Sequence, residues 1–137
     1  MCLICSRNAK IRRANKALIC YKVLRKDGEY LRAPYFETTY EIGSVVSSNK
    51  PLRLLNLGKD DYLRLDTDEK RIEEGLHTYK NVFDAMMQMA ELNLVYGVLY
   101  VVAECKIPIG ARYVEGRMLF SEKKTYVSDK LIVEKLI

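Results

Sequence analysis

The sequence predicts an α+β fold. The expectation is one domain built on a twisted, mainly antiparallel sheet of about five to eight strands, with one main helix packed on it and a basic N-terminal helix before it. Three observations carry this. From Leu18 onward, short segments alternate apolar and polar residues at period two and end at Gly, Pro or Asn. Residues 82–92 instead place apolar side chains three and four apart. The last nine residues alternate well enough to form a terminal strand, which is ordered only if it pairs in the sheet.

Taken in order, residues 6–18 space Ala9, Ile11, Ala14 and Leu18 for a short amphipathic helix with Ser6 as its cap. Residues 18–25 read as a strand carrying Ile19, Tyr21 and Val23 on one face, followed by Asp27-Gly28, a pair suited to a tight hairpin. The return strand over 29–32 stops near Pro34, which removes a ladder donor. Residues 40–46 form a strand interrupted at Gly43, and residues 47–51 form a loop. Short strands follow at 52–57 and 62–65, then an acidic, exposed stretch at 66–74 that turns once as a helix and closes at Gly75. Asn81 caps the main helix, with Asp84 as its capping-box partner, and two of Met86, Met87 and Met89 fill the core. Residues 94–107 are apolar on both alternate faces, the mark of a central strand covered on each side. Three further short strands lie at 111–114, 117–120 and 124–127, the first two joined by a turn at Glu115-Gly116.

Charge divides the chain in two. Residues 1–16 hold five basic side chains (Arg7, Lys10, Arg12, Arg13, Lys16) and no acid, so the remaining 121 residues hold 18 bases and 18 acids, and the net +5 resides entirely in the first segment. We therefore divide the chain into a basic arm at 1–17 and a body at 18–137. A local positive field favours nucleic acid or an acidic protein surface; the bland alternative is a solvated leader. Tyrosine is abundant, ten against three Phe and no Trp, and Tyr30, Tyr35 and Tyr40 flank Arg32, an arrangement suited to base stacking or to plain sheet packing.

Several chemistries are absent at the level of motif. The chain contains no G-x-x-x-x-G-K, G-x-G-x-x-G, H-E-x-x-H or G-x-S-x-G, and Asp66-Thr67-Asp68 lacks the rest of a calcium loop. Cys2 and Cys5 form a C-x-x-C without a second pair; Cys20, Cys105 or His77 would have to complete a zinc site, so no metal and no cofactor is expected. The one histidine, His77, precedes the main helix. Either it locks its loop, or with Tyr79 it orients a nucleotide for a small transferase or hydrolase, with Glu104 or Glu115 as acid-base partner and Arg112 holding a phosphate. No run of apolar residues is long enough for a membrane span, and no secretory signal is expected.

Four elements in order carry a resemblance: Tyr21-Lys22-Val23, Tyr40-Glu41-Ile42-Gly43, Gly75-Leu76-His77, and a helix holding Phe83-Asp84-Ala85, with Ile107-Pro108-Ile109-Gly110-Ala111 and Ser128-Asp129-Lys130-Leu131 behind them. Over residues 20–134 the chain resembles small uncharacterised proteins of tailed bacteriophages and their prophages. The resemblance implies an accessory or virion-associated protein of the host cytoplasm or virion, without a known activity. The expected partners are nucleic acid or an acidic protein, including virion proteins, bound through Arg7, Lys10, Arg12, Arg13 and Lys16 with Tyr30, Arg32 and Tyr35. A homo-oligomer joined by the 6–18 helix and the terminal strand is the remaining expectation.

Overall fold

A computed structural model describes residues 3–6, 8–34, 38–56, 70–72, 74–118 and 121–137. The fold is mostly β, not the expected α+β: 52% of the described residues lie in strands, and there is a single short helix among them. The strands are β1 (Leu3–Cys5), β2 (Arg12–Arg13), β3 (Leu18–Asp27), β4 (Tyr30–Arg32), β5 (Thr39–Tyr40), β6 (Val45–Ser47), β7 (Leu55–Asn56), β8 (Lys70–Ile72) and β9 (Leu76–Tyr79). After helix α1 (Val82–Tyr96) come β10 (Tyr100–Ile107), β11 (Arg112–Met118), β12 (Lys124–Ser128) and β13 (Lys130–Leu136). All belong to one sheet, whose main path runs β6-β13-β10-β3-β9-β12-β11-β1-β8-β7.

The predicted basic N-terminal helix does not form. Residues 3–5 pair with β11 and β8, and residues 12–13 pair with β11. Ala14 is buried in the main core, and Ala9 and Ile11 pack against the cluster around Cys5 and Ile72, so the apolar side chains that mimic a helical period are covered without a helix. A ladder supplied from a hundred residues away outweighs a weak local propensity.

Strand β10 is central, as its two apolar faces require. It pairs with β3 over eight residues on one side, from Tyr100↔Arg25 to Ile107↔Leu18, and with β13 on the other. One face carries Cys20, Leu24, Ala103, Cys105, Leu131 and Val133 into the principal core. The opposite face carries Val23, Tyr79, Tyr100 and Val102 against Ala85 and Leu92 of α1. A third cluster joins Cys5, Leu52, Ile72, Val114 and Val127.

Helix α1 begins after Asn81, but the asparagine makes no side-chain cap bond; Gly97, at φ 64°, ends the helix in the left-handed conformation. The helix consumes residues 94–96, which the apolar run had assigned to the strand. Asn93 then ties the helix end to β10: its Nδ2 donates to the Tyr100 carbonyl (3.3 Å) and its Oδ1 accepts from the Tyr100 amide (2.8 Å). Only a narrow stripe of α1 faces the sheet, Ala85, Gln88, Met89 and Leu92. Met86 and Met87 point outward, contrary to the core-filling expectation, and Phe83 is 67% exposed.

The hairpin at 27–30 forms with Asp27 opposite Tyr30, leaving Gly28 (φ 62°) and Glu29 as the two loop residues. Strand β11 runs straight through Glu115-Gly116, so the expected turn there is absent. Lys70–Ile72 is a strand rather than part of a helical turn, and the rest of the acidic stretch apart from Glu74 and the 62–65 strand lie outside the described residues.

Candidate functional site

The site follows from competition for one edge of β3. That edge meets β9 at one register pair, Tyr21↔Tyr79, and meets β4 from Arg25 to Asp27. Lys22, Val23 and Leu24 lie between the two and are paired by neither. The sheet therefore has a window three residues wide. Pleating sends Lys22 to the principal-core face and Val23 to the helix face. A cavity of about 240 Å³ is lined by side chains of both faces: Lys22 and Tyr40 from one, Val23, Tyr79 and Gln88 from the other. One cavity can touch both faces only because the strands part here.

Lys22 is 8% exposed. Its Nζ reaches across the window and donates to the His77 carbonyl (2.7 Å), and it stands 5.7 Å from the centre of the Tyr40 ring. Both partners are neutral. Burial lowers the Lys22 pKa from 10.5 to about 8, so the ammonium form still dominates at neutral pH. Burial also raises the Tyr40 hydroxyl well above its ordinary range, keeping it protonated.

His77 lines the same cavity. Its Nδ1 lies 3.2 Å from the Gly75 carbonyl, which assigns the proton to Nδ1 and leaves Nε2 as an acceptor. That Nε2 is buried and finds no partner among the described residues, and the same holds for Thr78 Oγ1 and Thr125 Oγ1, whose residues also line the cavity. Burial, then the charge of Lys22, lower the His77 pKa to about 4, so the ring is neutral at physiological pH. Gly75 makes this arrangement possible. At φ 113° it turns the chain where a Cβ would lie 2.5 Å from both Leu52 and Val127.

Of the predicted catalytic set, the fold brings only His77 and Tyr79 to the cavity. Glu104 pairs with Lys135 (3.8 Å) and Glu115 with Lys80 (2.9 Å), and neither lines it. Arg112 is exposed at the start of β11, its amide donating to Asp129 (2.9 Å). The carboxylate that does line the cavity is Glu74, 3.7 Å from Lys50.

The predicted binding set also divides. Lys10, Arg12, Arg13 and Lys16 are exposed and enter no ion pair among the described residues, while Arg13 Nη1 donates to the Gly110 carbonyl (3.0 Å). Arg13 sits directly opposite Arg112 in the β2–β11 pair. Tyr30 and Arg32 belong to the hairpin at the far end of the ten-residue β3, roughly 30 Å away at strand rise. There Arg32 lies 5.9 Å from the Tyr30 ring centre and 3.7 Å from Asp27. Arg7, Tyr35 and Cys2 lie outside the described residues.

Cys5 is buried in the third cluster, whereas Cys20 and Cys105 face each other across β3 and β10. Burial raises their pKa values to about 11, 11 and 12. No group of three or more metal-ligating side chains occurs among the described residues. The terminal strand pairs with β10 along one edge and, over Lys130–Ile132, with β6 along the other, and Leu131 and Val133 are fully buried, so those contacts are occupied within the chain.

Lys22, Gln88 and Thr125 are not identified from sequence as site residues, and Tyr40 is singled out only as one of the tyrosines flanking Arg32. Lys22 left one signal: it occupies the inward position between Cys20 and Leu24, in a run from Leu18 to Leu24 whose other residues of that parity are apolar. No protein-family model, curated protein or solved structure matches the chain. Among the described residues no helix is long and apolar enough to cross a membrane.

Proposed function

We propose that the chain is a ligand-binding protein, and that the window in the sheet between β9 and β4 holds a small polar organic molecule of the nucleoside or nucleotide class. The observation that carries this is one cavity whose lining includes the buried Lys22 and three residues, His77, Thr78 and Thr125, that each hold a buried side-chain polar atom without a partner among the described residues. A buried polar atom without a partner costs about 1–3 kcal/mol, which a side-chain turn that brings it to a ligand N–H or O–H would recover. Small-molecule sites typically occupy ~300–1,000 Å³, so the cavity suits a small metabolite or one end of a larger one. His77 and Tyr79 keep their expected orienting roles in this reading. Glu104 and Glu115 lose theirs, since both are tied to lysines elsewhere.

The test is ligand-induced stabilisation by a panel of nucleosides and nucleotides, read as thermal midpoint. A ligand at a hundredfold excess over its Kd adds about 2.7 kcal/mol. Ala33→Met, which projects a longer side chain into the window, should abolish the shift. A panel with no stabilising member, or shifts unaffected by the blocking variant, would refute the proposal.

A second reading rests on the basic edge. Arg13 opposite Arg112 is a like-charge cross-strand pair, which is unfavourable without an anion between the side chains. With Lys10, Arg12 and Lys16 unpaired beside it, this edge suits the phosphate backbone of a nucleic acid, the partner anticipated for a phage or prophage accessory protein. Binding there falls steeply with salt, and Arg12→Ser with Arg13→Ser reduces the salt slope by about 2. An unchanged slope would remove this reading. Charge substitution is the appropriate test, because deleting the segment would also remove β1 from between β11 and β8.

A further inference from the structure

The acid-base balance of the window points to the charge of its ligand. Lys22 is a buried cation, and buried cations are ordinarily matched by a carboxylate. Among the described residues it has no such partner: its contacts are the His77 carbonyl and the Tyr40 ring. Everything else that faces it is neutral near pH 7. Cys20 on β3 and Cys105 on β10 are thiols with raised pKa values, Tyr40 on β5 stays protonated, and His77 on β9 is an uncharged ring. Glu74, the acid in the cavity wall, is half-exposed and lies beside Lys50.

The geometry leaves the ammonium with capacity to spare. An ammonium has three N–H donors, and one is spent on the His77 carbonyl. Ser47 at the end of β6 and Asn49 in the loop after it enter the same lining and add polar side chains, while the Ser48 hydroxyl beside them already donates to the Lys50 carbonyl. Ala33, Pro34 and Leu76 form an apolar wall. The combination is a pocket for a molecule with an apolar or planar body and an anionic end.

We propose that Lys22 anchors an anion site, and that the ligand held in the window presents a phosphate or carboxylate to its ammonium. This rests on the window being the ligand site and adds the charge of what it takes. Lys22 acts as a binding residue, with no covalent step. A desolvated ammonium at a cavity wall is a stronger anion receptor than a surface lysine, because water competes less for the charge.

The experiment titrates the full chain with inorganic phosphate, acetate, AMP and adenosine, by calorimetry and amide chemical shifts, in wild type, Lys22→Met and the Arg12→Ser/Arg13→Ser double variant. AMP should bind wild type about 10- to 100-fold tighter than adenosine, the range of a charge-assisted hydrogen bond. Lys22→Met, which keeps the apolar stem, should erase that advantage, and the double arginine variant should retain it. Phosphate binding without acetate binding would assign a phosphoryl group, and the reverse a carboxylate. Equal affinity of wild type for AMP and adenosine would overturn the anion site while leaving the ligand-binding reading intact; binding of none of the four overturns both for this class. An AMP preference lost in the arginine variant and kept in Lys22→Met would place the anion at the basic edge and overturn the proposal. A second readout needs no substitution: phosphate or AMP should slow acylation of Lys22, followed by peptide mass spectrometry, and unchanged acylation in saturating ligand would overturn it.

Discussion

Lowering the pH from 7.5 to 5 should destabilise the protein through one residue. The chain has a single histidine, so no other side chain of that type titrates in this interval. The His77 pKa falls from 6.5 to about 4 on folding, because burial and then the neighbouring Lys22 charge disfavour the imidazolium. A depressed histidine pKa means that the unfolded chain binds the proton first. Stability is therefore complete above pH 6.5 and is lost as pH falls toward 4. Linkage gives a loss of about 1 kcal/mol by pH 6 and about 2 kcal/mol by pH 5. Urea unfolding at pH 7.5, 6 and 5 measures it, with His77→Asn as the reference, since asparagine retains a donor toward the Gly75 carbonyl while lacking the titration. The difference between the two proteins should shrink by those amounts as pH falls. Parallel pH profiles, or an imidazole that titrates near 6.5 by NMR in the folded protein, would refute the burial on which the site is built.

Lys22→Met should leave stability at pH 7 within about 1 kcal/mol of wild type, because relief of a desolvated charge offsets the lost bond to His77. Relative to that variant, wild type should gain about 1 kcal/mol between pH 8 and 9, where the folded state sheds the Lys22 proton and the unfolded state keeps it. Gly75→Ala should cost about 3 kcal/mol or more by urea midpoint, combining left-handed strain with two close contacts, whereas Gly43→Ala, at φ 86° with nothing within 4 Å, should cost about 1 kcal/mol. Asn93→Leu should cost about 1–3 kcal/mol by removing both hydrogen bonds that tie the helix end to the Tyr100 amide and carbonyl. Cys5, Cys20 and Cys105 should resist alkylation at pH 8 until the protein unfolds, as read by peptide mass spectrometry.

Elements with a strong local signature were legible in the sequence. The hairpin after Asp27 was recognised from its glycine, and the start of α1 from Asn81 and the apolar spacing that follows. The two-faced pattern of β10 placed it at the centre of the sheet, where β3 and β13 flank it. The N-terminal residues misled because strands of two and three residues are too short to express a period of two, while Ala9, Ile11, Ala14 and Leu18 matched a period near 3.6 by accident. His77 and Tyr79 could be named as a pair because both precede the helix within one short strand.

What the sequence by itself determined was a sheet-rich chain with an unbalanced positive N-terminal segment and one histidine shortly before the main helix, expected in a loop and found in strand β9. Only the tertiary structure decided that β9 and β4 divide one edge of β3 and leave Lys22 between them. Pairing of strands more than fifty residues apart is settled by which long-range contacts coexist, and no local pattern around Lys22 encodes whether a neighbouring strand will be there to cover it.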